Sequence, residues 1–286
     1  MEIVVFDGVA YGMLLFLIGV GLSVTMGLMN FVNLAHGALA MVGAYVASLL
    51  MNRWGLGFAP ALVAACMASA VTGALLEATL LRRVYRLGHL EQVLFSIGLV
   101  FVAIAAFTFW FGPSMQPFAA PQGLNGEWRV AGLGLGRYRL FLIAFGAGVF
   151  ALLMLGLGRT RYGAMVRAAV DNPRVAAATG IHVQRLFLLT FALGSGLAGL
   201  GGALSLGVRG LVPTFALDYL VYFLIVVCVG GSGTIVGPFV AAIAVGIVDV
   251  GSRFYLPQAG ALPVYLFMVL MLLWRPQGIV ACKGRA

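Results

Sequence analysis

Long, continuous apolar runs are the feature that most constrains how this chain can fold. Residues 9–25 and 140–157 are typical, because each is uncharged over about 18 residues, the length that crosses roughly 30 Å of hydrocarbon. The runs lack the apolar–polar alternation over about ten residues that marks the strands of a membrane barrel. The sequence therefore predicts an all-α fold, a polytopic transmembrane bundle of helices.

Composition agrees with a lipid environment. Charged residues make up 9% of the 286 positions, whereas a soluble globular domain carries about 25%. No segment between the runs is long enough to bury a core of its own, so we expect one transmembrane domain over residues 1–286. Eight or nine crossings are predicted, at about 8–28, 60–81, 91–111, 139–157, 185–207, 234–251 and 262–274, together with one apolar run that ends near 51 and one that begins at 219.

The basic residues lie on one side of the predicted spans. The net charge of +9 would by itself suit a nucleic-acid partner. Most of the arginines fall instead in segments 82–90, 158–185 and 275–286, each next to the end of an apolar run. The positive-inside rule makes these segments cytoplasmic, and nine crossings then put the amino terminus outside and the carboxyl terminus inside.

A polar interruption follows the first run. Asn30, Asn33 and His36, with Gly37 next, would share a sector about 120° wide if the stretch were helical. Polar groups at membrane depth need partners or a water-lined cavity. One hypothesis is that these residues line or gate a substrate path, and the alternative is a hydrogen-bond cluster that only joins helices.

A second interruption is rich in glycine. Gly231, Ser232 and Gly233 follow Gly230 inside an apolar run, which predicts a break between half-helices of the kind that forms binding sites in transporters. The serine also suits an intramembrane protease of the rhomboid type. In such enzymes the histidine lies on a later span, whereas every histidine here precedes the serine, so we favour the break.

Small residues recur at helical spacing in the run that begins near residue 185. The letters G-S-G-L-A-G match the dinucleotide fingerprint, but that motif needs a preceding strand within a βαβ unit. Small residues at every fourth position favour close helix packing instead. Two such faces are predicted: Gly194, Ala198 and Gly202, and Ser195, Gly199 and Ala203.

Few charges lie inside the spans. Glu77 is close enough to Arg82 to extend toward the membrane boundary, and Asp249 is predicted to pair with Arg253 one turn later. Neither forms a proton-relay chain. The single lysine, Lys283, lies in no P-loop, so any ATP that drives transport must be bound by another subunit.

The segment 158–184 is the longest predicted cytoplasmic loop. Asn172 is a natural N-cap, Pro173 suits the first helical position, and Gly180 suits the position after a helix. The loop is therefore expected to form two short helices joined at Asp171-Asn172. Docking on its own membrane domain would explain these signals without any partner.

Three motifs, in order, resemble one known family. They are N-F-V-N-L-A-H-G-A-L-A-M-V-G-A-Y at 30–45, T-R-Y-G-x-x-x-R-A-x-x-x-N-P-x-x-A-x-x-x-G-I from 160 followed by F-A-L-G-S-G-L-A-G-L-G-G, and V-G-G-S-G-T-I-V-G-P at 229–238. The chain resembles permeases of ABC importers for branched-chain amino acids, from its first span to R-P-Q-G at 275–278. Of the two paralogous permeases in such importers it is similar to the shorter, H-type one.

The resemblance implies a non-enzymatic permease in the bacterial inner membrane. Its implied partners are a paralogous permease, two ATPase subunits and a periplasmic or lipid-anchored binding protein, with no cofactor or metal of its own. Urea or short-amide uptake within the family is an alternative, and a stand-alone carrier or channel is another. The residues implied to form the ATPase-coupling element are Gly163, Arg167, Ala168, Asn172, Pro173, Ala176 and Gly180.

Overall fold

The computed structural model describes residues 1–29, 33–85, 87–118, 121, 123–130, 133–231, 233–275 and 278–279. Within these ranges the chain is a bundle of α-helices with one small hairpin. The helices are α1 (Glu2–Met29), α2 (His36–Trp54), α3 (Phe58–Leu76), α4 (Arg82–Val84), α5 (His89–Phe111), α6 (Arg137–Arg159), α7 (Arg161–Asp171), α8 (Pro173–Ala178), α9 (Val183–Arg209), α10 (Phe215–Gly230), α11 (Val236–Tyr255) and α12 (Leu262–Trp274).

The helices agree closely with the predicted spans. Among the described residues, six helical segments are long and apolar enough to cross a membrane, and α10 and α12 are shorter apolar helices. The first span begins at Glu2 rather than near residue 8. Helix α2 is not among the six, because its sequence includes His36, Asn52 and Arg53. The prediction of a polytopic helical bundle is confirmed.

Within the described residues, a short hairpin departs from the all-α fold that the sequence predicts. Strands β1 (Glu127–Val130) and β2 (Leu133–Gly136) pair antiparallel, with Glu127 opposite Gly136. They lie in the connection between α5 and α6, which was not expected to contain strands. Each has four residues, and the second is L-G-L-G, so neither has the run of β-branched or aromatic residues that signals a strand.

Helix α1 forms the centre of the bundle. Every residue from Leu14 to Leu22 is buried, and α1 packs against α2, α6, α9, α10 and α11. Its most apolar window is 72% buried, compared with 11% for those of α5 and α6. A helix that is apolar all round and buried belongs in a protein core, so α1 is the core while α5 and α6 turn apolar side chains toward lipid.

Helix α9 packs on its neighbours through both predicted faces of small residues. A Cβ added to Gly202 would lie 2.0 Å from the Ala40 carbonyl oxygen of α2. On the other face, a Cβ added to Gly199 would lie 2.1 Å from Ser69 Oγ of α3. These contacts bring helix backbones together, as small residues do in membrane proteins, and they confirm the interpretation of the G-S-G-L-A-G motif as a packing surface.

The carboxylate of Glu77 lies where α3, the helix of the span predicted at 60–81, changes to a π-helical turn. That turn, Glu77–Leu81, joins α3 to α4. Glu77 is 1% exposed and accepts a hydrogen bond from Tyr85 Oη, with Arg82 Nε 3.7 Å from Oε1. The predicted approach to Arg82 is present, and the tyrosine supplies an additional partner that a buried carboxylate needs.

Candidate functional site

Helices α7 and α8 form a capped helix pair at one end of the bundle. The Asn172 side chain accepts hydrogen bonds from the backbone N–H groups of Arg174 and Val175, both at 3.1 Å. Thr160 caps α7 by accepting from Gly163 N, and Gly180 follows α8 with a φ of +89°. The prediction of two short helices joined at Asp171-Asn172 is confirmed, with each cap satisfying N–H groups that the helix leaves unpaired.

One face of the helix pair docks on the bundle. A small cluster there includes Val166, Ala169 and Ala176, packed with Leu186 of α9. A Cβ added to Gly163 would lie 2.0 Å from the Leu157 carbonyl oxygen, so α7 crosses the end of α6 backbone to backbone. This docking means that a displacement of α7 is transmitted to α6 and α9.

Tyr162 strengthens the same contact. Its hydroxyl lies 2.7 Å from Thr190 Oγ1 of α9. Burial raises the pKa of the Tyr162 phenol, so the group stays neutral and the hydrogen bond persists across the physiological pH range.

The opposite face of the helix pair is exposed. Met165 is 37% and Val175 58% exposed, beside Arg167 and other solvent-facing positions. Sequence reasoning missed these two residues, although Met165 is offset from the buried Val166 on α7 and Val175 is offset from the buried Ala176 on α8. The other exposed positions of the pair include Arg161, Ala164, Ala168, Asp171, Asn172, Pro173, Arg174, Ala177 and Ala178.

The seven residues implied as coupling residues therefore have different structural positions. Gly163 and Ala176 are buried against the bundle. Asn172 caps α8 and Gly180 supplies a positive φ after it. The last three, Arg167, Ala168 and Pro173, are exposed, and Arg167 also donates a hydrogen bond to the Leu157 carbonyl oxygen at the end of α6.

The first polar interruption brings the chain deep into the bundle. His36 Nε2 lies 3.0 Å from the Ile18 carbonyl oxygen, although α1 continues from Ile18 to Met29. At 1.5 Å per residue, Ile18 is about 16 Å along α1 from its end. The start of α2 is therefore near the middle of the bundle.

The shared helical sector predicted for this segment is not formed. Residues 33–35 are a turn, in which Asn33 Oδ1 accepts from Ala35 N at 3.0 Å. Asparagine side chains compete with helical hydrogen bonds in this way, so the helical conformation on which the shared sector depended is absent at residues 33–35. Asn30 lies outside the described residues.

Asn33, His36 and Gly37 nevertheless meet in one buried place. The His36 ring packs edge-on to Phe223 of α10, and a Cβ on Gly37 would lie 2.8 Å from the Ala216 carbonyl oxygen. Within the described chain, Asn33 Nδ2 and His36 Nδ1 are buried without hydrogen-bond partners. Such atoms require water or a ligand, as a substrate path would provide. The hydrogen bond to Ile18, in contrast, only joins two helices. Both hypotheses for this interruption, a substrate path and a structural cluster, therefore stay open.

The second interruption is a sharp break between α10 and α11. Gly231 and Gly233 have φ values of +91° and +81°, which glycine adopts without strain. The backbone carbonyl oxygen of Ser23 on α1 accepts a hydrogen bond from Gly233 N at 2.9 Å. The Ser23 hydroxyl donates a hydrogen bond to the Thr234 carbonyl oxygen at 3.0 Å. The predicted break is present, and Ser232 lies outside the described residues.

Among the described residues, the two interruptions do not form a single polar site. The α10–α11 break contacts α1 at Ser23 and Gly27, whereas His36 contacts it at Ile18. The break is instead close to α7, because a Cβ on Gly233 would lie 4.0 Å from Val170. A cavity of about 290 Å³ lies at this level, lined by residues of α1, α6 and α7 and of the α10–α11 break.

A charged cluster at the other end of the bundle was only partly predicted. Asp249 is fully buried, and its carboxylate binds Arg253 Nε at 2.9 Å, as expected from their spacing. It also binds Arg209 Nη2 at 2.7 Å and accepts from Tyr222 Oη at 2.8 Å. Arg209 and Tyr222 are on α9 and α10, so no short-range pattern indicates them. The available signal is that a buried carboxylate needs more than one partner.

These features define a class of protein: a multi-pass helical membrane protein of the transport-permease type, with broken helices around a central span and a docked helix pair at one end. The family model described as "Branched-chain amino acid transport system / permease component" matches residues 4–274. The chain belongs to this family, which confirms the resemblance found in its motifs.

Curated relatives agree over most of this chain. The chain is 25% identical to the high-affinity branched-chain amino acid transport system permease protein LivH of Escherichia coli K12, over 96% of this chain and 94% of that protein. Pseudomonas aeruginosa BraD, a permease protein of the same description, is also 25% identical with the same coverage. LivM of Salmonella typhimurium is 28% identical to this chain, over 94% of this chain and 68% of the LivM sequence. No solved structure matches the chain.

Proposed function

We propose that this chain is the membrane-spanning permease subunit of an ABC importer that moves branched-chain or related apolar amino acids across the bacterial plasma membrane. The observation that carries the proposal is the family match over residues 4–274. In this role the chain is not an enzyme, because separate ATPase subunits bind and hydrolyse ATP.

A paralogous permease is the proposed partner within the membrane. LivH and LivM of Salmonella typhimurium are both named as permease proteins of a high-affinity branched-chain amino acid transport system, and both are similar to this chain. That similarity supports pairing with a related subunit. The remaining proposed partners are two ATPase subunits and a periplasmic or lipid-anchored binding protein.

The helix pair α7–α8 is proposed to contact an ATPase subunit. Its exposed face combines small residues with Met165, Val175 and Arg167, a surface that suits a shallow protein cleft. Its buried face is fixed to α6 and α9, so the pair can pass a movement to the bundle without deforming. This end is then cytoplasmic, in agreement with the basic residues around it, and the amino terminus is outside.

The coupling role can be tested on the exposed face alone. Met165→Glu and Ala168→Glu put a negative charge into the proposed contact, where burying an unpaired charge costs about 2–5 kcal/mol. Arg167 is left unchanged, because its guanidinium donates to the Leu157 carbonyl at the end of α6. We expect uptake by the complete importer in vesicles to fall at least about tenfold, with normal amounts of permease in the membrane. Gly163 is unsuitable as a test position, because any side chain there would collide with the Leu157 carbonyl and disturb the docking of α7 on α6.

Gln184→Glu is the matched control, since it adds the same charge to an exposed position at the start of α9. Equal uptake by all three variants would contradict the coupling role. Uptake by the purified chain without ATPase subunits would contradict the importer as a whole, and uptake of urea or acetamide in place of leucine would favour the alternative substrate.

The substrate path is proposed to pass the buried polar atoms of Asn33 and His36. Alanine at Asn30, Asn33 and His36 together should lower leucine uptake per folded molecule about tenfold. Ser69→Ala is the control, because Ser69 also donates a buried interhelical bond, to the Leu39 carbonyl at 3.0 Å. If the triple variant resembles Ser69→Ala, with a lower Tm and unchanged uptake per folded molecule, the three residues only join helices.

A further inference from the structure

The ends of four helices enclose a charged cavity at the end of the bundle opposite α7–α8. Asp7 comes from the start of α1, Arg139 from the start of α6, Arg209 from the end of α9, and Asp249 and Arg253 from α11. The cavity has a volume of about 260 Å³, below the range of about 300–1,000 Å³ that holds drug-sized ligands. It suits a smaller molecule.

The charges around this cavity do not balance. Both oxygens of Asp249 are occupied, by Arg209, Arg253 and Tyr222. The other carboxylate, Asp7, binds Arg139 through Oδ2 only. Three guanidinium groups therefore face two carboxylates, which leaves a net positive charge for an anion to neutralise.

Two groups in the cavity have unused hydrogen-bonding capacity. Asp7 Oδ1 is buried and has no hydrogen-bond partner within the described part of the chain. Arg209 uses Nη2 for its bond to Asp249, while its guanidinium lies 4.6 Å from the centre of the Tyr11 ring. A guanidinium has five N–H donors in a fixed fork, so Arg209 retains donors for a carboxylate.

Apart from Tyr11, the rest of the cavity wall is apolar. Leu142, Val208 and Val250 line it beside the charged groups. A net positive charge, a free carboxylate oxygen and an apolar surface in one small cavity are together complementary to a zwitterion with an apolar side chain. Few other small molecules carry all three features.

We propose that this arginine–aspartate cavity is the site where the permease first receives its amino acid. The substrate carboxylate binds Arg209 and Arg139, its ammonium group binds Asp7 Oδ1, and its side chain contacts Leu142, Val208 and Val250. The inference rests on the proposed function and adds where the substrate enters and which groups recognise its backbone.

The cavity should bind the substrate weakly. Arg139 and Arg253 are each about half exposed, so solvent screens their charges. Weak binding suits a receiving site, because a substrate held tightly at the entrance would be released slowly.

Equilibrium binding of radiolabelled L-leucine to the complete permease–ATPase complex in nanodiscs tests the cavity, with no binding protein present. Arg139→Gln and Asp7→Asn should each weaken leucine binding about tenfold, since each removes a charged partner of the zwitterion. Both residues are partly exposed, so the complex is expected to remain folded. The matched controls are Arg137→Gln, two residues earlier on α6, and Glu2→Gln on α1, which should bind leucine normally.

Two analogues separate recognition from a structural role. N-acetyl-L-leucine lacks the ammonium group and L-leucinamide lacks the carboxylate, so both should compete poorly with leucine. Asp7→Asn should weaken leucine binding but leave that of N-acetyl-L-leucine unchanged. A merely structural effect would weaken the binding of both.

The outcomes distinguish this inference from the proposed function. If the importer takes up leucine while Arg139→Gln and Asp7→Asn bind it like the wild type, the cavity assignment is overturned and the importer assignment stands. Competition by either analogue as strong as that by unlabelled leucine would also overturn the cavity assignment. If the wild-type complex neither binds nor takes up a branched-chain amino acid, both are wrong.

Discussion

Replacing Gly43 with leucine is expected to remove the folded protein from the membrane. A Cβ at this position would lie 2.3 Å from the Gly199 carbonyl oxygen and 2.4 Å from Gly199 Cα. Both atoms belong to the α9 backbone, so no side chain can rotate to make room. Extra atoms in a packed core cost about 1–3 kcal/mol when neighbours can adjust, and here two helices must separate.

The effect should be large because α9 cannot move away. Its other side is held by α3, where a Cβ on Gly73 would lie 2.1 Å from Ser195 Oγ, and by α1 at Gly21. The measurement is the amount of monodisperse permease extracted from membranes, together with its Tm. Gly148→Leu on α6 is the control, since nothing lies within 4 Å of its Cβ position. A Gly43→Leu protein as abundant and as stable as the control would contradict the close α2–α9 contact.

Replacing Asp249 with leucine is expected to destabilise the protein nearly as strongly. Removing one member of a buried ion pair leaves its partner's charge without compensation, which costs about 3–5 kcal/mol. Most of this loss should arise at Arg209, whose side chain is 28% exposed, because Arg253 is 52% exposed and water can solvate it. Tyr222 Oη loses an acceptor at the same time.

Thermal unfolding in detergent tests this expectation with two comparisons. Asp218→Leu, at an exposed carboxylate that accepts only from Thr214 within the described structure, should leave the Tm nearly unchanged. Asp249→Leu combined with Arg209→Leu should be more stable than Asp249→Leu alone, because the uncompensated charge is gone. A double variant less stable than the single one would show that the charge pairing is not what stabilises these helix ends.

Features that depend on neighbouring residues could be predicted from the sequence. The apolar runs specify most spans because hydrocarbon thickness sets helix length. The caps at Asn172 and Gly180 specify α7 and α8 because they satisfy backbone groups locally. The small residues around Gly199 indicate close packing, although not that Ala40 and Ser69 are the neighbours.

Features that depend on which helices meet could not be predicted. The partnership of Asp249 with Arg209 joins residues 40 positions apart, and no periodicity encodes it. The position of His36 beside Ile18 requires the chain to turn back into the bundle, and the polar interruption in the sequence does not specify that turn. The coupling residues were assigned as one set, and only the packing separates Gly163 and Ala176 from those on the exposed face.

The central helix connects the two ends of the molecule mechanically. Helix α1 has 28 residues without interruption, about 42 Å of rigid rod. Near one end, Gly27 lies against Gly233 beside α7, and near the other, Asp7 and Tyr11 line the arginine–aspartate cavity. A stiff rod that pivots must swing its two ends in opposite directions. A tilt imposed at the α7 end would therefore change the width of the far cavity in the same movement, with no separate signal passing between them.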